Sequence, residues 1–182
     1  MSSLLNKLFK KGTQCEVAIV QYERDDYSVG HEEQLHWAVV AVVSKDESEI
    51  KAAVWQIMDR HYSDGRPSEW SLSHVPTMPL NKTMKCLGGV IIGVMERKDI
   101  DSANKLIHDL AQPKPKFPGW NCRDWVVEVI KDILSPWGWA DARITTQHSL
   151  LPSLRLASQA SANARQQHKR SLPHIVALEL PA

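Results

Sequence analysis

The pattern of apolar and polar positions changes character about halfway along the chain. Up to residue 95 it consists of short β-branched or aromatic runs separated by polar turns; beyond it, apolar residues recur at three- and four-residue intervals. Residues 15–23 (CEVAIVQYE) read as a strand, and 24–34 (RDDYSVGHEEQ), with Gly30, as a turn or loop. Residues 35–43 (LHWAVVAVV) form a nearly continuous apolar run, the pattern of a strand buried on both faces. Residues 53–58 (AVWQIM) predict a third strand, and Asp64-Gly65-Arg66-Pro67 a turn. Residues 69–75 (EWSLSHV) alternate and predict a fourth strand. Residues 86–95 (CLGGVIIGVM) predict a fifth, whose glycines point to close packing or a bulge.

Helical spacing begins with 99–111, where Ile100, Ala103, Leu106, Ile107 and Leu110 share a face and Asp99 or Asp101 supplies the N-cap. Residues 112–119 (QPKPKFPG) hold three prolines and a glycine and cannot continue a helix. A second helix is predicted over 121–134, with Val126, Val129, Ile130, Ile133 and Leu134 on one face and Pro136 ending it. Residues 150–170 are rich in alanine and serine and read as a basic helix or a loose tail. Residues 1–13 have the makings of a short basic amphipathic helix, with Leu4, Leu5, Leu8 and Phe9 on one side. Such a helix suits contact with a membrane surface, docking on the core, or a frayed end. The chain thus divides into a basic N-terminal segment (1–14), an α+β domain (15–140) and a C-terminal extension (141–182). Strands first and helices after predict an antiparallel sheet of about five strands with helices packed on it.

Composition narrows the function. The 182 residues are 43% hydrophobic and 24% charged, with a formal net charge of +1, so there is no broad basic field for nucleic acid. No apolar run is long enough to cross a membrane. Three widely spaced cysteines, Cys15, Cys86 and Cys122, suggest neither a disulfide framework nor a zinc site, and no secretory signal is read at the start. A reducing compartment, the cytoplasm, is the expectation.

Cys122 is the residue with chemistry in its placement. It opens a helix directly after the proline-rich connector, within Trp120-Asn121-Cys122-Arg123-Asp124-Trp125. Unpaired N–H groups and the helix dipole favour thiolate there, and the same N–H groups suit a developing oxyanion. A buried, merely packing cysteine is the alternative. A thiol nucleophile needs a base. Of eight histidines, His36 stands out because it interrupts an apolar strand, where it is costly without a partner; His61 and His74 sit in more polar surroundings. A third group would orient the imidazole. Gln56 is polar within an apolar run; Asp59 or His61 would serve if the strand is longer. Gln56 and Asp59 fall on opposite faces of a regular strand, so at most one of them faces the cysteine. Arg123 and Asp124 are expected to face solvent.

The combination of His36-Trp37-Ala38 on an early strand with Asn121-Cys122 opening a late helix resembles the lecithin:retinol acyltransferase-like enzymes, the permuted branch of the NlpC-type, papain-like superfamily. It is also similar to uncharacterised fungal proteins with His-Trp on a strand and Trp-Asn-Cys before a helix. The likeness spans roughly residues 15–135, with the two motifs about 85 residues apart. It implies a permuted papain-like fold, Cys122 as nucleophile and His36 as base. Acyltransferase-like members carry a second histidine soon after the first; here no histidine lies between His36 and His61, and Gln56 stands on the third strand. The expected function is a thiol-dependent hydrolase or acyltransferase acting on an amide or ester of a small molecule, lipid or peptide. The alternative is an inactive binding or regulatory module.

Other features add less. Trp37, Trp55, Trp70, Trp120 and Trp125 would either line an apolar groove or build the core, with Trp37, Trp120, Asn121 and Trp125 the candidates nearest Cys122. Gly88-Gly89 matches no phosphate-binding loop, and the histidines have neither HxxxH nor HxH spacing, so neither cofactor nor metal is expected. Cys86 and Cys15 read as core.

Overall fold

The apolar run of residues 35–43 becomes β2 (His36–Lys45), a central strand of the sheet. Trp37, Val39 and Ala41 point into one core, and Ala38, Val40 and Val42 into another on the opposite face. That double burial explains why the run lacks polar alternation. The computed structural model describes residues 13–67, 69–168 and 171–180. The helix expected over 1–13 therefore falls, apart from Thr13, outside the described residues.

β1 (Gln14–Tyr22), β2, β3 (Ile50–Arg60), β4 (Glu69–Pro79) and β5 (Cys86–Glu96) are antiparallel neighbours, and β6 (Ile175–Ala177) joins β5 in parallel. The order is β4-β3-β2-β1-β5-β6. The sheet is thus mixed and six-stranded, which corrects the expectation of five antiparallel strands. β6 escaped notice because a three-residue apolar run after Pro173 has no readable period. β4 outruns its predicted end through Pro76 and Pro79 because it is an edge strand, where a missing N–H breaks no ladder.

The helices are α1 (Ile100–Leu110), α2 (Cys122–Val129) and α3 (Leu151–Gln167). α2 runs on into a π-helical turn, Ile130–Leu134, and Val126, Val129, Ile130, Ile133 and Leu134 are all buried in the core. The C-terminal extension is part of the same core: α3 and β6 both pack on β5, and Leu154 and Ala157 are fully buried. Gly88 makes this close fit possible. Its φ is +87°, and a Cβ there would lie 2.2 Å from the His174 carbonyl oxygen. At Gly93 a Cβ would meet the Trp139 carbonyl at the same distance. Among the described residues no helix is long and apolar enough to cross a membrane.

Candidate active site

The site lies where the sheet forks. The β1–β2 ladder extends to Tyr22↔His36 and the β3–β4 ladder to Arg60↔Glu69, but the β2–β3 ladder stops at Val39↔Trp55. Beyond that pair the two strands part, and the N-terminus of α2 meets the opening. The Trp37 N–H, released from the β2–β3 ladder, donates to the Cys122 sulfur. The His36 ring bridges the gap: its Nε2 is 2.9 Å from Gln56 Oε1, and the ring is hydrogen-bonded to the Cys122 thiol. With Nε2 taken by the amide, Nδ1 is the nitrogen left for the sulfur.

The start of α2 is fixed by its own sequence. Asn121 caps it by accepting the Arg123 N–H at 3.0 Å, and Asp124 closes the box by accepting the Asn121 N–H at 3.0 Å. Cys122 is then the first helical residue, whose N–H has no intrahelical acceptor.

The electrostatics follow from this geometry. Burial by itself would raise the Cys122 pKa, but the hydrogen bond and charge of His36, the Trp37 N–H and the nearby Arg123 outweigh it, and the thiol is held below its ordinary 9.0. Burial would likewise lower His36, yet the bond and charge of Cys122 and the bond to Gln56 outweigh it and the nearby Arg24 charge, raising the imidazole above 6.5. Each group favours the ionised form of the other, as in a thiolate–imidazolium pair.

Of the other candidates for the third position, Asp59 and His61 pair with each other in the groove that His36 also lines. Asp59 accepts from Arg24 at 2.7 Å and sits 2.8 Å from His61 Nε2. Of the three, Gln56 is the one placed in a hydrogen bond with the ring. His74 stacks on Trp55 and bonds the Val54 carbonyl through Nδ1.

The tryptophans divide. Trp37 and Trp125 are core, not lining: both are fully buried, their indole N–H groups donating to the Glu32 and Ala111 carbonyls. The sequence left both readings open, because bulky residues beside Cys122 look the same whichever face they take. Trp120 packs edge-on against Trp70 and donates to Glu128, closing one flank of the fork. Asn121, half-buried, serves as the cap. Arg123 and Asp124 were expected in solvent; Arg123 is only 9% exposed and donates to the Leu35 carbonyl at 2.9 Å, and Asp124 is half-buried, taking a bond from Gln147. No apolar periodicity signals a buried arginine, so sequence reasoning passed it by.

Beside His36 lies a groove of about 400 Å3 lined by Tyr22, Arg24, His36, Gln56, Asp59 and Lys85 among others. Cys122 itself is 0% exposed. Cys86 and Cys15 are buried in the two cores, as expected.

No curated protein and no solved structure matches the chain. A family profile matches residues 15–148, a span holding the five antiparallel strands apart from Gln14, the fork and the whole of α2. The chain belongs to that family, described as a family of unknown function (DUF6914).

Proposed function

We propose that the protein is a thiol-dependent hydrolase or acyltransferase built on a permuted papain-like frame, with Cys122 as nucleophile, His36 as proton shuttle and Gln56 as the group that orients the imidazole. The carrying observation is the chain of contacts from the Cys122 thiol through the His36 ring to Gln56 Oε1. Nucleophile, base and orienting group follow one another in hydrogen-bond contact.

In the first half-reaction the Cys122 thiolate attacks the carbonyl carbon of an amide or ester. A C–S bond forms, and the carbonyl electron pair moves onto oxygen, facing the Cys122 N–H. His36 gives its proton to the departing amine or alcohol as the C–N or C–O bond breaks, leaving a thioester. In the second, water or an acceptor alcohol or amine loses a proton to His36 and displaces the thiolate. The groove beside His36 carries Arg24, Asp59 and Lys85, which suits a polar, peptide-like substrate better than a long acyl chain. Gln56 in place of a second histidine is a departure from the acyltransferase-like pattern in the same direction.

A small electrophilic probe tests the proposal. Selective labelling of Cys122 over Cys15 and Cys86, lost in His36→Ala, is expected; equal, slow labelling of all three would overturn it. The complete burial of the sulfur favours a second reading, a binding or regulatory module without turnover. That reading predicts no selective labelling even with the smallest reagent.

A further inference from the structure

Arg123 has a role that the dyad alone does not explain. We infer that Arg123 is the positioning residue of the site: it holds the start of β2 against the start of α2 and keeps a positive charge beside the Cys122 sulfur. The inference rests on the reading of Cys122 and His36 as a dyad and extends it to the residue that assembles them.

The geometry is unusual in what it connects. Arg123 follows Cys122 directly, and its Nη1 donates at 2.9 Å to the carbonyl of Leu35, which directly precedes His36. One side chain therefore ties together the neighbours of both dyad members, residues 88 positions apart in sequence. A sheet whose β2–β3 ladder has stopped needs such a tie, because the first residues of β2 are held by β1 on one side only.

A neutral donor would satisfy a carbonyl at lower cost. A buried guanidinium is expensive, and this one is 9% exposed with its Nε lacking any partner. Among the described residues no carboxylate is in ion-pair contact with it. The charges that reach it are Cys122, Arg24 from the loop after β1, Asp124 on its own helix and Glu33 from the loop before β2. Asp124 is occupied by the Asn121 N–H and Gln147, and Glu33 faces Arg155 at 3.7 Å. Arg24 is a like charge engaged with Asp59. The Cys122 thiolate is thus the adjacent negative group that the Arg123 charge still serves.

The test is the pH profile of Cys122 alkylation by iodoacetamide, assigned by peptide mass spectrometry, in the full chain and in Arg123→Gln and Arg123→Lys. Arg123→Gln removes the charge; its Cys122 apparent pKa is expected to rise and its rate at pH 7 to fall about tenfold. Arg123→Lys keeps the charge but not the planar fork; it is expected to preserve most of the lowered pKa while losing several-fold in the maximal rate. A folded Arg123→Gln with the wild-type profile would overturn the inference, since a merely structural role shifts the melting temperature and leaves the profile unmoved. Should Arg123→Gln fail to fold, Arg123→Lys decides: the wild-type rate at every pH counts against positioning. A wild-type Cys122 with an ordinary thiol pKa sinks the dyad reading itself. A lowered wild-type pKa indifferent to Arg123 sinks only this inference.

Discussion

Cys86 and Cys122 make a natural experiment within one chain. Each is the first residue of its element, each is fully buried, and each has an arginine and a backbone N–H nearby. Yet burial pushes the Cys86 thiol up to about 11, despite the Gly88 N–H, Arg165 and Tyr22 acting against it, whereas Cys122 is held below 9.0. The difference is the imidazole. Cys86 faces the phenol side chain of Tyr22, which ionises less readily than usual because it too is buried. Cys122 faces His36, which accepts a proton and leaves a cation in contact with the sulfur. Burial and the first place in an element are shared; a helix N-terminus and, above all, a proton acceptor in contact are not. Tyr22 borders both regions, its ring centroid 6.2 Å from that of His36.

Removing the chemistry at Cys122 should break the comparison most completely. Cys122→Ala is expected to abolish turnover and the fast, selective labelling while the far-UV circular dichroism stays unchanged; overall labelling that persists at the wild-type rate, carried by Cys15 or Cys86, would refute the assignment. Next in size, His36→Ala is expected to cost about 100-fold or more in turnover. It should also move Cys122 towards the behaviour of Cys86, with labelling that needs higher pH. An acid with a lowered pKa ionises at lower pH. The ratio of Cys122 to Cys86 labelling should therefore be greatest near neutrality and shrink as pH rises towards 11, and a ratio constant with pH would contradict the lowered thiol.

Smaller changes sharpen the contrast. Gln56→Ala leaves His36 without the partner on Nε2, and about a tenfold fall in the Cys122 labelling rate is expected, with a small shift of its pH midpoint. Asn121→Ala removes the cap that sets Cys122 as the first helical residue; about 1 kcal/mol of stability should be lost in urea unfolding. Cys86→Ala lies at the bottom of the scale, leaving the Cys122 profile untouched apart from the modest destabilisation of a vacated core position.

Much of the scaffold was legible in the sequence because it depends on local rules. The β2 run had to be buried on both faces, since no polar residue interrupts it between Trp37 and Val43. Cys122 had to open a helix, since Pro118 and Gly119 forbid one before it and Val126, Val129 and Ile130 form an apolar face after it. His36 was conspicuous as a polar residue leading into that run, and Gln56 as one inside the next strand.

What remained hidden depends on how elements meet. Adjacency in sequence leaves Trp37 and Trp125 either beside Cys122 or in the core; the pleat and the helix turn send both into the core. β6 joins β5 through a close approach of a distant segment at Gly88, where a Cβ would collide with the His174 carbonyl.

The sequence by itself determined the two halves of the site, a histidine leading into a buried strand and a cysteine opening a helix, because apolar patterning and proline act within a few residues. Only the tertiary structure decided that the β2–β3 ladder stops at Val39↔Trp55, that the Trp37 N–H turns to the sulfur, that Gln56 rather than Asp59 or His61 meets the ring, and that a buried Arg123 ties the halves together. Those are relations between segments far apart in the chain, set by how the strands splay and the helix packs, and no local pattern encodes them.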